Sequence, residues 1–141
     1  ERREVQEFLR HLGEDDGLAT YGEQEIIQQL KNVNVYVLLV SDAIRRWYVT
    51  LECRSCQFKE YQIVDMDDFD DFEEKVKGMK CLKCGTGNYE IVEKEDLIEV
   101  LVKLADDAKA RLEIISTHIE EGEILLRSFG GIAAVTKYRT S

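Results

Sequence analysis

Apolar positions along the chain switch between a helical period and a two-residue period, and each switch marks an element. From Arg2 to Leu12, Val5, Phe8, Leu9 and Leu12 fall at i, i+3, i+4 and i+7, one apolar stripe on a helix. Gly13 is placed to stop it, and Glu14-Asp15-Asp16-Gly17 reads as a solvated turn. Thr20-Tyr21-Gly22-Glu23 has the form of a T-x-x-E capping box, in which each end residue bonds the other's backbone N–H. It predicts the start of a helix that turns Ile26, Ile27 and Leu30 inward. The unbroken apolar run Val35 to Val40, closed by Ser41-Asp42, predicts a strand buried on both faces.

From Arg46 to Glu52 the pattern alternates, with Trp47, Val49 and Leu51 on one side and Tyr48 and Thr50 on the other: a strand leading straight into Cys53. Leu97, Val100, Leu101, Leu104, Ala105 and Ala108 make a helical stripe over three turns, and Arg111 to Ile115 reads as a short strand. Thr117-His118-Ile119-Glu120 is a second T-x-x-E box, opening a helix with Leu125, Leu126 and Phe129 inward. Gly130-Gly131 ends it and admits a last strand, Ile132 to Tyr138. Strands alternating with helices predict an α/β fold, a mixed sheet sandwiched by helices, with residues 53–88 inserted as a separate module.

Composition narrows the function. The chain has 141 residues, 29 acids against 19 bases and a net charge of −10. That length suits one domain carrying a small insert. Nucleic-acid binders need a basic face to release counterions, so little direct nucleic-acid binding is expected of this chain alone. The longest apolar run is far shorter than the ~20 residues that span a bilayer, which excludes a membrane role. The opening Glu-Arg-Arg-Glu has no hydrophobic stretch behind it and no starting Met. It predicts an unexported, cytoplasmic fragment of a longer protein.

All four cysteines fall in two C-x-x-C pairs, Cys53-Arg54-Ser55-Cys56 and Cys81-Leu82-Lys83-Cys84-Gly85. Two residues between thiolates let one tight turn aim both sulfurs at one metal, and two such turns complete a tetrahedron. Gly85 suits a knuckle whose backbone folds close behind the sulfurs. The stretches 57–64 and 88–92 read as the arms of a zinc ribbon, and Arg54, Lys59, Lys80 and Lys83 balance the charge of a thiolate cluster. Disulfides require an oxidising compartment, and a redox site uses a single pair at a helix start. A third alternative is two coincidental pairs. The reading is one structural Zn²⁺ on Cys53, Cys56, Cys81 and Cys84; four thiolates leave no position open for a catalytic water.

No nucleophile, phosphate-loop or dinucleotide motif is present, His11 and His118 read as surface residues, and no enzymatic activity is expected. The acidic run Asp65 to Glu74 reads as a solvated, mobile loop, with docking of Phe69 and Phe72 on a basic partner as the alternative.

The stretch Glu120 to Arg139, with its Glu-Gly pair and Phe129-Gly130-Gly131-Ile132-Ala133-Ala134, resembles the ending of archaeal class-1 peptide chain release factors. Asp16-Gly17-Leu18-Ala19-Thr20-Tyr21-Gly22, the strand ending Leu38-Leu39-Val40-Ser41 and the two-pair ribbon match as well. The likeness covers residues 1–141 as that family's C-terminal domain, and the ribbon cysteines favour an archaeal source. Thr136-Lys137 stands where the family usually has Leu-Arg, and Asn34 where a Gly or Ala precedes the strand. The resemblance implies a role in translation termination, in protein biosynthesis. Stop-codon reading and peptidyl-tRNA hydrolysis would reside in domains outside this stretch. This domain would dock a translational GTPase of the elongation factor 1-alpha type and an ABC-type ribosome-recycling ATPase, and meet the ribosome in the full-length protein. It also implies Tyr21 and Phe129 as GTPase anchors. Physically, Tyr21 sits at a helix start and Phe129 precedes two glycines that leave its ring unshielded. Two alternatives are a Pelota-type rescue factor, which lacks the cysteine ribbon, and a zinc-ribbon nucleic-acid adaptor, which would present a basic face.

Overall fold

The computed structural model describes residues 2–140. They fold as two compact units, one running to Ile44 and resuming at Leu101, the other formed by Arg45–Val100.

In the first unit, α1 (Arg2–Glu14), β1 (Ala19–Tyr21), α2 (Glu23–Lys31) and β2 (Val35–Ser41) are followed, after the second unit, by the later turns of α4 (Leu97–Asp107), β6 (Arg111–Ile115), α5 (Glu120–Phe129) and β7 (Ile132–Thr136). The strands form one mixed sheet in the order β1-β7-β2-β6, antiparallel except for the parallel pair β2–β6. Interior β2 is buried on both faces as its apolar run predicts, except at Tyr36. There the register against β7 shifts, and the extra residue is thrown out to 59% exposure. On one face, Val5 and Phe8 of α1 and Leu125 of α5 pack on Val37, Leu39, Ile115, Ala133 and Val135. The two small alanines of β7 leave room for helices to approach.

Several element starts and stops differ from the sequence pattern. Helix α1 continues through Gly13 to Glu14 and reverses at Asp15, whose φ is 51°. The Asp16 carboxylate then accepts the Leu18 N–H at 3.0 Å. Neither T-x-x-E box closes. Thr20 is in β1 opposite Ala134, and α2 is entered from Gly22 without a side-chain cap. Thr117 and His118 precede α5, whose cap is Ile119. In both places tertiary bonds win over the local box: Gly22 N–H reaches Ile132 O at 3.1 Å, and Thr117 N–H reaches Asp42 at 3.4 Å. Gly122 in α5 allows a close approach, because a Cβ there would lie 1.8 Å from the Ser116 carbonyl oxygen.

Strand β7 stops at Thr136, short of the expected Tyr138. Beyond it the chain is held by side chains. Asn34 accepts the Tyr138 N–H at 2.8 Å and donates to its carbonyl at 3.2 Å, and the Thr136 hydroxyl donates to the same carbonyl at 2.8 Å.

The second unit contains β3 (Arg46–Cys53), β4 (Lys59–Asp65), a 3₁₀ turn (Met66–Asp68), α3 (Phe69–Val76), β5 (Tyr89–Asp96) and the first turn of α4. Its antiparallel sheet has the order β4-β3-β5. Strand β3, expected in the main sheet, pairs on both sides with strands of this unit, which therefore extends beyond residues 53–88.

The acidic run is likewise not a loop. Phe69, Phe72 and Val76 fall at i, i+3 and i+7 on α3, and Phe72 and Val76 are buried against Val49, Leu51 and Tyr89. The alternative use of Phe69 and Phe72 as free docking rings therefore falls too. Asp70 and Asp71 occupy the first turn, where acids complement the helix dipole.

Candidate metal centre

Two matching turns build the centre. In the first, Cys53 N–H bonds to Phe58 O at 2.9 Å and Gln57 N–H to Cys53 O at 2.7 Å. In the second, Cys81 N–H bonds to Thr86 O at 2.8 Å and Gly85 N–H to Cys81 O at 2.9 Å. The residue after each second cysteine is left-handed, Gln57 at φ 62° and Gly85 at φ 76°. The sequence announced the second turn through its glycine; Gln57 gave no such sign.

The turns are tied together. Arg54 N–H bonds to Asn88 O at 3.0 Å, and the Asn88 amide donates to the Ser55 hydroxyl at 2.9 Å. Tyr89 donates from its hydroxyl to Glu60 at 2.7 Å and accepts the Leu82 N–H at 3.3 Å, fixing the second turn to β4.

This brings together all four sulfurs that the spacing singled out. They lie within 4.8 Å of one another, with Cys53–Cys84 and Cys56–Cys81 separations of 3.6 Å, and all four cysteines are free. A tetrahedral zinc with Zn–S bonds of about 2.3 Å requires S···S separations of about 3.8 Å, so the sulfurs fit a metal of that size with little movement.

Electrostatics point the same way. Burial pushes the Cys53 thiol up, but hydrogen bonds from the Thr86 hydroxyl and the Cys56 and Ser55 amides outweigh it and bring the group to about 6. At Cys56 the Phe58 amide favours the thiolate, yet burial and the three neighbouring sulfurs drive it to about 12. Four sulfurs this close cannot all ionise by themselves, and a divalent cation removes the conflict. Cys81 accepts the amides of Lys83 at 3.4 Å and Cys84 at 3.5 Å. Thr86, which sequence reasoning missed, places its hydroxyl 3.1 Å from Cys84 and 3.6 Å from Cys53. Of the bases read as charge balance, Arg54 is engaged by Glu52 and Glu90.

His11 is half-buried, with Nδ1 2.7 Å from Asp16, and His118 is exposed; neither joins the sulfurs.

Tyr21 and Phe129 come together in the first unit. Their ring centroids are 5.1 Å apart, and Phe129 meets buried Phe8 edge-on at 5.0 Å. The three rings form a row from the core outward, ending in Tyr21 at 49% exposure. Phe129 is thus flanked on two sides rather than unshielded.

A family model described as eRF1 domain 3 matches residues 1–140. Peptide chain release factor subunit 1 of Methanocaldococcus jannaschii is 39% identical over 140 residues, 99% of this chain and 33% of that protein. The chain spans about a third of the length of the curated relatives it matches. Among solved structures, the C-terminal domain of a peptide chain release factor from Methanosarcina mazei superposes with TM-score 0.81 at 30% identity, over 96% of this chain and 80% of that one. An archaeal Pelota, from a model of ribosome-bound Pelota and ABCE1, has the same fold at TM-score 0.50 and 20% identity, over 100% of this chain and 28% of that one.

Proposed function

The chain belongs to the eRF1 domain 3 family of translation termination factors, and on that premise we propose that it is the docking domain of a class-1 release factor. In this reading residues 1–141 are one domain of a longer cytoplasmic protein that works on the ribosome. The domain binds a translational GTPase of the elongation factor 1-alpha type and then an ABC-type recycling ATPase. Codon reading and ester hydrolysis belong to other domains, and this one carries no catalytic residue. The module around residues 53–88 holds one Zn²⁺ through Cys53, Cys56, Cys81 and Cys84. Its four thiolates fill a tetrahedron, which gives the metal a folding role.

The observation that carries the docking role is the row Phe8–Phe129–Tyr21. A half-exposed ring held rigidly by an edge-to-face contact to the core loses little entropy on binding, and such aromatics dominate interface energies. Tyr21→Ala is the cleaner probe, since Phe129 also packs on Phe8. Titration of the GTP-loaded GTPase by calorimetry should show affinity falling about 30-fold or more for Tyr21→Ala, a cost of about 2 kcal/mol. Wild-type affinity in that variant would move the docking face elsewhere. The two C-x-x-C pairs favour this reading over a Pelota-type rescue role, which the shared fold alone does not separate from it.

A further inference from the structure

The three-stranded sheet of the second unit ends in two edges of unlike character. Strand β5 carries a register shift between Thr50 and Leu51 and the consecutive charges of Glu93, Lys94 and Glu95, devices that keep an edge from pairing with another chain. Strand β4 has neither. Its register against β3 runs unbroken from Lys59 to Asp65, its centre Tyr61-Gln62-Ile63-Val64 is uncharged, and no proline interrupts it. The bonds that flank the pairing, Cys53 N–H to Phe58 O and Met66 N–H to Arg45 O, fix which groups face β3. By alternation, Lys59, Tyr61, Ile63 and Asp65 turn their N–H and C=O outward. Among the described residues these outward groups have no hydrogen-bond partner, because β4 ends the sheet and no turn or loop reaches it. A cleft of about 510 Å³, lined by Gln62, Val64 and Phe72 among others, lies along the same edge beside α3.

We propose that β4 pairs antiparallel with β4 of a second copy of this chain, centred on Gln62, joining the two sheets into one of six strands. The strand selects its own partner. Centring on Gln62 is the register in which the outward groups of all four residues meet those of the other copy, with Lys59 opposite Asp65 and Tyr61 opposite Ile63. Two-fold symmetry makes each pair twice. Opposite-charge and aromatic–β-branched pairs are the favourable ones across strands. The rows continue into β3, where Glu52 stands beside Lys59 and Arg46 beside Asp65. A row crossing the seam therefore reads Glu52, Lys59, Asp65, Arg46, with the sign alternating at every step. Among the described residues Lys59 has no ion pair, and Asp65 reaches Arg46 only at 4.0 Å. A uniformly basic strand would meet Lys59 and a uniformly acidic one Asp65, whereas a second copy answers both. A contact one strand wide falls below the roughly 1,200 Å² that stable interfaces bury, so the dimer is weak, with a Kd on the order of 100 µM. The strand belongs to the other unit from the aromatic row, and its test does not involve the GTPase.

The test follows the isotope-labelled, metal-loaded chain by sedimentation velocity and amide shifts from about 10 µM to about 1 mM. The chain should pass from monomer to dimer across that range, with the shifts concentrated at residues 59–65. Lys59→Glu and Asp65→Lys should each weaken the dimer about tenfold, because each sets like charges opposite one another twice. An equimolar mixture of the two variants restores both opposite-charge pairs in the heterodimer. It should recover the affinity to within about threefold of the unaltered chain, a rescue that a merely unstable variant would not show. A chain still monomeric at the highest concentration, shifts centred on β5 or β6 instead, or a mixture no tighter than either variant alone would overturn the proposal.

Discussion

Removing the metal from the cysteine centre should unfold the second unit and spare the first. The apolar core of Arg45–Val100 consists of Val49, Leu51, Phe72, Val76 and Tyr89, with two of the cysteines themselves. A single core in a unit below about 70 residues supplies roughly 3–5 kcal/mol, whereas a structural zinc contributes about 10–16 kcal/mol near neutral pH. The second quantity exceeds the first severalfold, so on the proposed function most of the unit's stability comes from the ion, and its loss should leave the unit largely unfolded. Without an ion, burial and the hydrogen bonds to the three neighbouring sulfurs hold Cys56 protonated, at about 12. The chain's one tryptophan, Trp47, packs against this core and reports its state. Excess chelator should red-shift Trp47 emission, expose four titratable thiols and collapse the dispersion of unit-two amides. Amides of β2 and β7 should keep their shifts, because their sheet is covered by α1 and α5. Metal analysis should give one zinc per chain, with affinity falling as pH drops, since each thiol must shed its proton to bind. Unchanged Trp47 emission in a metal-free chain would refute this reasoning.

Three further outcomes are expected. Gly122→Ala should destabilise by about 1–3 kcal/mol, because the new methyl meets the Ser116 carbonyl, while Gly13→Ala, in an open stretch of α1, should stabilise by up to about 1 kcal/mol; urea unfolding distinguishes the signs. Excising 46–96 across a short Gly-Ser linker should leave a cooperatively melting first unit, since the register brings Trp47 opposite Asp96, whereas excising only 53–88 should leave a β3–β5 stub that exposes Val49 and Leu51 and binds ANS. Asn34→Ala and Thr136→Val should show a coupling of about 0.5–1 kcal/mol in a double-mutant cycle, as both donate to the Tyr138 carbonyl.

What was legible in the sequence followed from periodicity. The stripes of α1 and α4, and the apolar run of β2, survive because burial is what the pattern encodes. What failed was local chemistry read without its tertiary rival. Thr20 could have capped a helix, but opposite Ala134 it completes a sheet edge instead. Charge misled at α3. Ten residues with seven acids read as solvated, yet the three-residue spacing of Phe69 and Phe72 already carried a helix with one apolar face. The alternation of β3 was read correctly as a strand, and only its sheet was misplaced; alternation says which residues face inward, not which neighbours supply the hydrogen bonds.

The clustering of the four cysteines was legible because thiolate spacing reflects the geometry of a single turn. Its supports were not, since Gln57 and Thr86 act through conformation and a hydroxyl rather than a recurring residue type. The departures at Asn34 and Thr136 show the same limit from the other side. Read singly, each is an unexplained swap of a small or apolar residue for a polar one. In the fold they stand on either side of one carbonyl, that of Tyr138, where the chain leaves the sheet. Asn34 takes the N–H of that residue as well, so its amide replaces the ladder bonds that β7 would have formed had it continued. A Gly or Ala at 34 offers no such partner, and a Leu at 136 offers no hydroxyl. The two changes therefore make sense only together, as one side-chain clamp that substitutes for two residues of strand.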